Sequence, residues 1–458
     1  PRVLPLSLPP LPPTEVVELV SPKQGRAVSE RLHHETGGNP LFVVELLREL
    51  PDGSVAEAAT LPIPPSLQAL TNQRLQQLPR SSQQLLETLA VLDRPAHFDL
   101  AQQISGRSEN ETIGAIEDGL QWHILQARPS AQFDFSHELM RQAILQQVSC
   151  VRLQRLHRRA ARALEKLGEP AAILAHHWAL AGEPEKTAVY AIQAGHEAFA
   201  KAATQEALAF FVKAQSLLSA GDVTQRFEAM LGQAKVLTAT SQLDELGQHL
   251  PQLVELAEQL GEPRCLAETA VYQARLAAHQ TQFGEAIALA QRGIAQAEMA
   301  EVNSIAGELY LSIAFSHSQS GNYPAARDAT QQAILLFEQA ADARGKANGL
   351  QRLGMIHSRL GDLQRAAGLI RAALAICRQQ GDAFSESSAL SSLGGVLYSL
   401  GHYEEVATVA KQGIAVAQQI GDRENEGRHY NNLAGIALHA LDHEKAIGYY
   451  EQALTFSE

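Results

Sequence analysis

Four turn sites in the second half of this chain stand 40 residues apart, and no other feature limits the fold as much. They are Ser320-Gly321-Asn322-Tyr323, Leu360-Gly361-Asp362-Leu363, Leu400-Gly401-His402-Tyr403 and Ala440-Leu441-Asp442-His443. Three residues past each turn stands Ala326, Ala366, Val406 or Ala446. A fixed period of this length means stacked supersecondary units, each buried against its neighbours, and excludes one compact core. An array of this kind binds other molecules and performs no chemistry by itself.

Within each unit small residues recur in register. The first helix carries Ala274, Ala314, Gly354, Gly394 and Ala434; the second carries Gly293, Ala333, Ala373, Gly413 and Ala453. Small side chains at fixed positions let two helices approach while larger ones fill the gaps. Gly381-Asp382 and Gly421-Asp422 mark the joins between units. The pattern resembles the tetratricopeptide repeat (TPR) in a longer variant, with about seven hairpins from Glu183 onward. The resemblance implies a superhelix whose first helices line a concave groove for a protein or peptide. Counting by register, the groove-facing residues are Glu308, Asn348, Gln351, Ser388, Ser391, Tyr398, Arg428 and Asn431. These positions do not resemble the Lys/Arg carboxylate clamp of chaperone-binding repeats.

The net charge of -13 makes the chain a poor non-specific binder of nucleic acid or anionic membrane. Its three cysteines, Cys150, Cys265 and Cys377, are too few and too scattered for a disulfide framework, which points to a reducing, cytoplasmic setting. No apolar run is long enough to span a bilayer.

The first 62 residues read as short helices separated by Pro and Gly. Val3 to Leu8 suits a single strand, Glu15 to Val20 a short helix, and Ser21-Pro22 starts a helix to about Glu35. Asn39-Pro40 starts another helix over Leu41 to Leu50. After a linker at Leu61-Pro62-Ile63-Pro64-Pro65, helices are expected over 66–77, 79–92 and 100–105. Ser108-Glu109-Asn110-Glu111 is a capping box opening a helix to Trp122, and 124–127 with 132–135 make a hairpin. Three helices and a hairpin predict a winged helix. The helix that would read DNA carries Glu109, Glu111, Glu117 and Asp118 and no basic residue, which argues against nucleic-acid contact.

Thr36-Gly37-Gly38-Asn39-Pro40-Leu41-Phe42-Val43 resembles the lid motif of the signal-transduction ATPases with numerous domains (STAND), found in large bacterial LuxR-type and antibiotic-regulator-type transcription activators. Phe135-Ser136-His137-Glu138-Leu139 resembles that family's segment in which a histidine at a helix start senses nucleotide phosphate. The resemblance implies that Pro40, Leu41 and His137 sense a nucleotide. It also implies an upstream nucleotide-binding domain supplying ATP or ADP with Mg, and self-association on opening. The expected fold is all-α with a small β-hairpin wing: a helical lid at 1–62, a winged helix at 63–167 and a TPR α-solenoid at 168–458.

The helix Val151 to Leu167 holds the chain's basic run, including Arg152, Arg155, Arg158, Arg159 and Arg162, and is read as a solvated face or a partner for acidic neighbours. His176 and His177 point about 100° apart on a helix, so packing, rather than metal binding, is expected of them. No phosphate-binding GxxxxGK[ST] loop, dinucleotide GxGxxG, HExxH or CxxC occurs. The chain is therefore expected to carry no catalytic residues or cofactor of its own. It reads as the regulatory and sensor half of a STAND switch for transcription control. The alternatives are a free-standing TPR scaffold, or the same half joined to a cyclase, kinase or antiviral effector.

Overall fold

The computed structural model describes residues 11–19, 30–33, 36, 38–49 and 65–455. The expected strand at 3–8, most of the helix at 21–35, and the stretch from Pro51 to Pro64 lie outside the described residues. The fold is all-α with one small antiparallel sheet, ending in a TPR-type solenoid. It divides into two compact units, Pro1–Ala203 with Lys213–Leu218, and Thr204–Val212 with Ser219–Glu458.

The first unit opens with α1 (Pro13–Leu19) and α2 (Pro40–Glu49). Proline at the first position of α2 has no N–H to leave unsatisfied, as the sequence predicted. Gly38 before it has φ +73, and a Cβ there would lie 2.3 Å from the carbonyl oxygen of Leu11, so the position admits only glycine. Val16, Leu32, Val43 and Leu46 are fully buried together with Leu139 and Met140.

Next come α3 (Pro65–Gln76), α4 (Arg80–Ala90), β1 (Ala96–His97), α5 (Phe98–Ser105), α6 (Glu109–Gln121), β2 (Leu125–Arg128), β3 (Gln132–Phe135) and α7 (Glu138–Gln147). The capping box forms: the Ser108 hydroxyl accepts from Glu111 N–H, and the Glu111 carboxylate accepts from Ser108 N–H at 3.1 Å. The hairpin β2–β3 pairs Leu125 with Phe135 and Arg128 with Gln132. The sequence reading missed β1, which pairs with β3 to give the order β1-β3-β2. Two residues carry no alternation that a sequence pattern could reveal. Gly119 of α6 packs on β2, where a Cβ would stand 2.9 Å from Leu125 Cδ1.

α8 (Cys150–Lys166), α9 (Ala171–Leu180) and α10 (Pro184–Ala200) follow. Leu164 and Trp178 share one core with Leu85, Ile104 and Ile124, so the first unit continues past residue 167. Each fully buried leucine or isoleucine contributes roughly 1.5–3 kcal/mol to that core. Two arginines of the basic run on α8 meet carboxylates, Arg152 with Glu87 at 2.6 Å and Arg158 with Glu183 at 2.5 Å. His177 is 2% exposed, and its Nδ1 lies 3.0 Å from His157 Nδ1. One ring of that pair donates and the other accepts. Burial pushes His157 down to about 4 and His177 down to about 3, with nearby histidines adding to both shifts.

α11 (Thr204–Leu217) spans the division between the units. From Val223 the second unit is a run of hairpins in strict register. The first helices are α12 (Val223–Ala239), α14 (Pro263–His279), α16 (Asn303–Gln319), α18 (Ala343–Arg359), α20 (Ala383–Ser399) and α22 (Arg423–His439). The second helices are α13 (Leu243–Leu260), α15 (Phe283–Met299), α17 (Tyr323–Gln339), α19 (Leu363–Gln380), α21 (Tyr403–Ile420) and α23 (His443–Leu454). Helices thus start every 20 residues, and six hairpins keep the register among the described residues. Before them, α9 and α10 belong to the first unit.

Local chemistry explains both ends of these helices. Asn322, Asp342, Asp362, Asp382, Asp422 and Asp442 each accept a hydrogen bond from the N–H three residues on. Each helix from α12 through α22 ends at a left-handed residue, again 20 residues apart from 241 to 441. Six of those positions are glycine; Ser241, Thr281, Glu301, Ala341 and Leu441 adopt φ of 53 to 62 without it. The small residues sit in the helix contacts. Ala274, Ala286, Ala326, Ala366 and Ala434 are fully buried, and a Cβ on Gly293 would lie 2.5 Å from Ala270 Cβ.

Candidate functional site

The first helices of the solenoid present a concave face. A cavity of about 550 Å³ is lined by Phe315, Ser318, Asn348, Gln351, Arg352, Met355, Arg359 and Ser388, among others. A second, of about 320 Å³, is lined by Arg275, His279, Glu308, Ser312, Phe315, Asn348 and Arg352, among others. They share Phe315, Asn348 and Arg352 and form one groove running across α14, α16, α18 and α20.

The helical period builds this wall. Asn348, Arg352, Met355 and Arg359 fall at i, i+4, i+7 and i+11 on α18 and share one face. Arg352 Nε donates to Asn348 Oδ1 at 3.1 Å, which fixes the guanidinium along the helix. The Gln351 amide donates to Ser388 Oγ at 3.0 Å and to Ser392 Oγ at 2.9 Å, tying α18 to α20. Arg275 pairs with Glu308 across α14 and α16 at 3.1 Å. Arg352 is exposed by surface area, although the surrounding protein mass and then the Arg275 charge push its guanidinium down to about 10. Arg352 remains a cation at neutral pH. The His279 ring lies 5.8 Å from the Phe315 ring, giving the groove an aromatic shelf.

Of the groove residues read from the repeat register, Glu308, Asn348, Gln351 and Ser388 converge here. Arg428 and Asn431 line a separate cavity of about 440 Å³ with Tyr450 and Leu454. Ser391 and Tyr398 line neither. The Ser391 carbonyl accepts from Asn432 Nδ2 at 3.2 Å, and Tyr398 packs edge-on against Tyr403 at 5.6 Å. The register reading missed Arg275, His279, Phe315, Arg352 and Arg359. Their signal lay in the same period: Arg275, Phe315 and Met355 share one position at 40-residue steps, as do His279, Gln319 and Arg359.

In the first unit the two segments singled out by resemblance come together. Thr36 is fully buried, and its backbone bonds to His137. Asn39 N–H donates to the Thr36 carbonyl at 3.2 Å, closing the turn into α2. His137 is half-buried at the N-cap of α7; burial, then the Arg74 charge, lower its pKa, and the Thr36 bond partly offsets this. Pro40 is exposed, and the side chain of Leu41 lies outside the described residues.

The tetratricopeptide repeat family matches residues 350–384 and 385–458. No curated protein sequence matches the chain significantly. Among solved structures, a STAND protein with a tetratricopeptide repeat sensor from Pyrococcus horikoshii is 14% identical, with 98% of this chain and 72% of that one covered at a TM-score of 0.48. Aspartyl phosphate phosphatase F from Bacillus subtilis is 14% identical, with 83% and 95% covered at a TM-score of 0.49. A Rap protein complexed with Competence and Sporulation Factor is 14% identical, with 66% and 91% covered at a TM-score of 0.46. Among the described residues no helix is long and apolar enough to cross a membrane.

Proposed function

We propose that this chain is a binding module in which the groove across α14 to α20 captures a protein or peptide segment. The observation that carries the reading is the convergence of polar and aromatic side chains from successive first helices into one open concavity. A helix face that served only as a solvated surface would not bring four repeats to bear on one space. Replacing Asn348 with a benzoylphenylalanine photo-crosslinker in the full chain should trap a partner segment, whereas the same group at Glu285, exposed on the second helix α15, should not. Equal cross-linking from both positions refutes the reading.

The second part of the proposal concerns the first unit, read as the lid and winged helix of a STAND switch with bacterial, cytoplasmic, transcription-regulating relatives. The contact between His137 and Thr36 supports it, because it joins the two segments that resemble that family's nucleotide-sensing elements. With ATP or ADP and Mg on an upstream domain, exposed Pro40 would pack near the base and His137 would offer a ring nitrogen toward phosphate. The bound nucleotide supplies the charge that the lid reads. The sequence holds no GxxxxGK[ST] loop to cradle phosphates and, on this reading, the chain performs no catalysis; its part is to bias opening and self-association. In a longer protein carrying that domain, Pro40→Ala and His137→Ala should each weaken ADP retention. Unchanged retention favours the free-standing scaffold instead. Attachment to a cyclase, kinase or antiviral effector would use the same contact.

A further inference from the structure

The groove is cationic in a strongly acidic protein. Its two cavities are lined by Arg275, Arg352 and Arg359 against a single carboxylate, Glu308. That carboxylate is committed to Arg275. Arg352 bonds only the neutral amide of Asn348, and neither Arg352 nor Arg359 has a carboxylate partner among the described residues. The two other cavities described on this unit carry carboxylates in equal number or in excess. The cavity beside α12 and α14 sets Lys235 and Arg264 against Glu268, Glu301 and Glu308, and the one at the last hairpin sets Arg428 against Glu424. On α19 of the same unit Arg371 pairs with Glu405 at 2.6 Å and Arg378 with Glu386 at 2.7 Å. Arg352 and Arg359 thus set two guanidiniums without a carboxylate partner among the described residues on one stripe of α18, in a chain of net charge -13.

A guanidinium offers five donors in a planar fork, and carboxylate is the oxygen pair that matches it. Between the forks lie apolar surfaces, Phe315 and Met355, the latter 39% exposed. The groove is open along its length, which suits an extended chain that sets acidic side chains on the arginines and apolar ones between them. We propose that Arg352 and Arg359 recognise the carboxylates of an acidic peptide segment that also places an apolar side chain on Phe315 and Met355. This rests on the reading of the groove as a peptide site and adds the chemistry of its ligand. Electrostatic attraction of this kind raises the association rate and is screened by salt.

The test pans a random octapeptide phage library on the full chain, with the Arg352→Gln, Arg359→Gln double variant in parallel. Both residues are exposed, so circular dichroism should show an unchanged helical fold. Selected peptides should be at least threefold richer in Asp and Glu than the library, and the variant should lose that enrichment. Synthetic copies of the selected peptides should bind the wild type at least tenfold more tightly at 50 mM than at 500 mM NaCl. Arg264→Gln, outside the groove, should leave this unchanged. Binders without acidic enrichment, or enrichment that survives the double variant, overturn the charge assignment while leaving the peptide site standing. Failure to select any groove binder overturns both. Micromolar binding of succinate or inorganic phosphate in calorimetry without peptide binding assigns the arginines to a small anion and refutes the peptide.

Discussion

Two glycines of the fourth register-keeping hairpin should respond in opposite directions to the same substitution. Gly354 on α18 faces α19: an added Cβ would lie 2.6 Å from Ile370 Cγ1 and 3.0 Å from the carbonyl oxygen of Ala366. Ile370 and Ala366 are both fully buried, so neither side chain nor backbone can withdraw without moving the helix. Gly368 on α19 is exposed, and a Cβ there meets nothing within 4 Å. Alanine in a helix interior gains about 1 kcal/mol over glycine, and Gly368→Ala should realise that gain. At Gly354 the same gain is outweighed by overpacking of roughly 1–3 kcal/mol with backbone on the receiving side. The two variants should differ by about 2 kcal/mol, or roughly thirtyfold in the opening equilibrium. Hydrogen exchange read by mass spectrometry on peptides from 343–380 measures that local opening without requiring the array to unfold in one step. Exchange slowed equally by both substitutions would refute the close approach of α18 and α19.

Leu441 holds φ +58 at a helix end where other hairpins use glycine, so Leu441→Gly should stabilise the last hairpin by about 1 kcal/mol. Slower exchange in 423–454 checks this, and faster exchange contradicts it. The His157–His177 pair makes the first unit acid-sensitive. Both folded pKa values lie below the ordinary 6.5, so the unfolded chain binds more protons between about 6.5 and 4, and stability falls as pH drops through that window. From pH 6.5 to 5 the loss should be roughly 2–4 kcal/mol for the two rings together. Both tryptophans, Trp122 and Trp178, lie in this unit, so urea unfolding followed by tryptophan fluorescence reports it. His177→Leu should flatten the acid slope, and an undiminished slope would place the sensitivity elsewhere.

Much of this protein acts over a few residues, and that much was written in the sequence. An Asp or Asn that caps a helix reaches an N–H three positions away, so Asp362, Asp382, Asp422 and Asp442 marked the helix starts. The capping box at Ser108 and the proline opening α2 are of the same kind. The 40-residue step and its small residues identified helical hairpins, because burial between neighbours repeats wherever the unit repeats. The segment from Thr36 to Val43 and His137 could each be singled out, but their meeting at Thr36 depended on packing between segments about 100 residues apart.

Tertiary structure decided the rest. The left-handed turns at Ser241, Thr281, Glu301, Ala341 and Leu441 carry no glycine to announce them; the packing of flanking helices imposes the conformation. β1 exists because β3 offers it an edge, a partnership two residues cannot encode alone. The groove is the clearest case. Arg275, Arg352 and Ser388 belong to different repeats, and only the stacking of those repeats sets them around connected space. A register count names the face of each helix, but which side chains share a cavity, and which charges go unanswered there, depends on how the helices curve past one another.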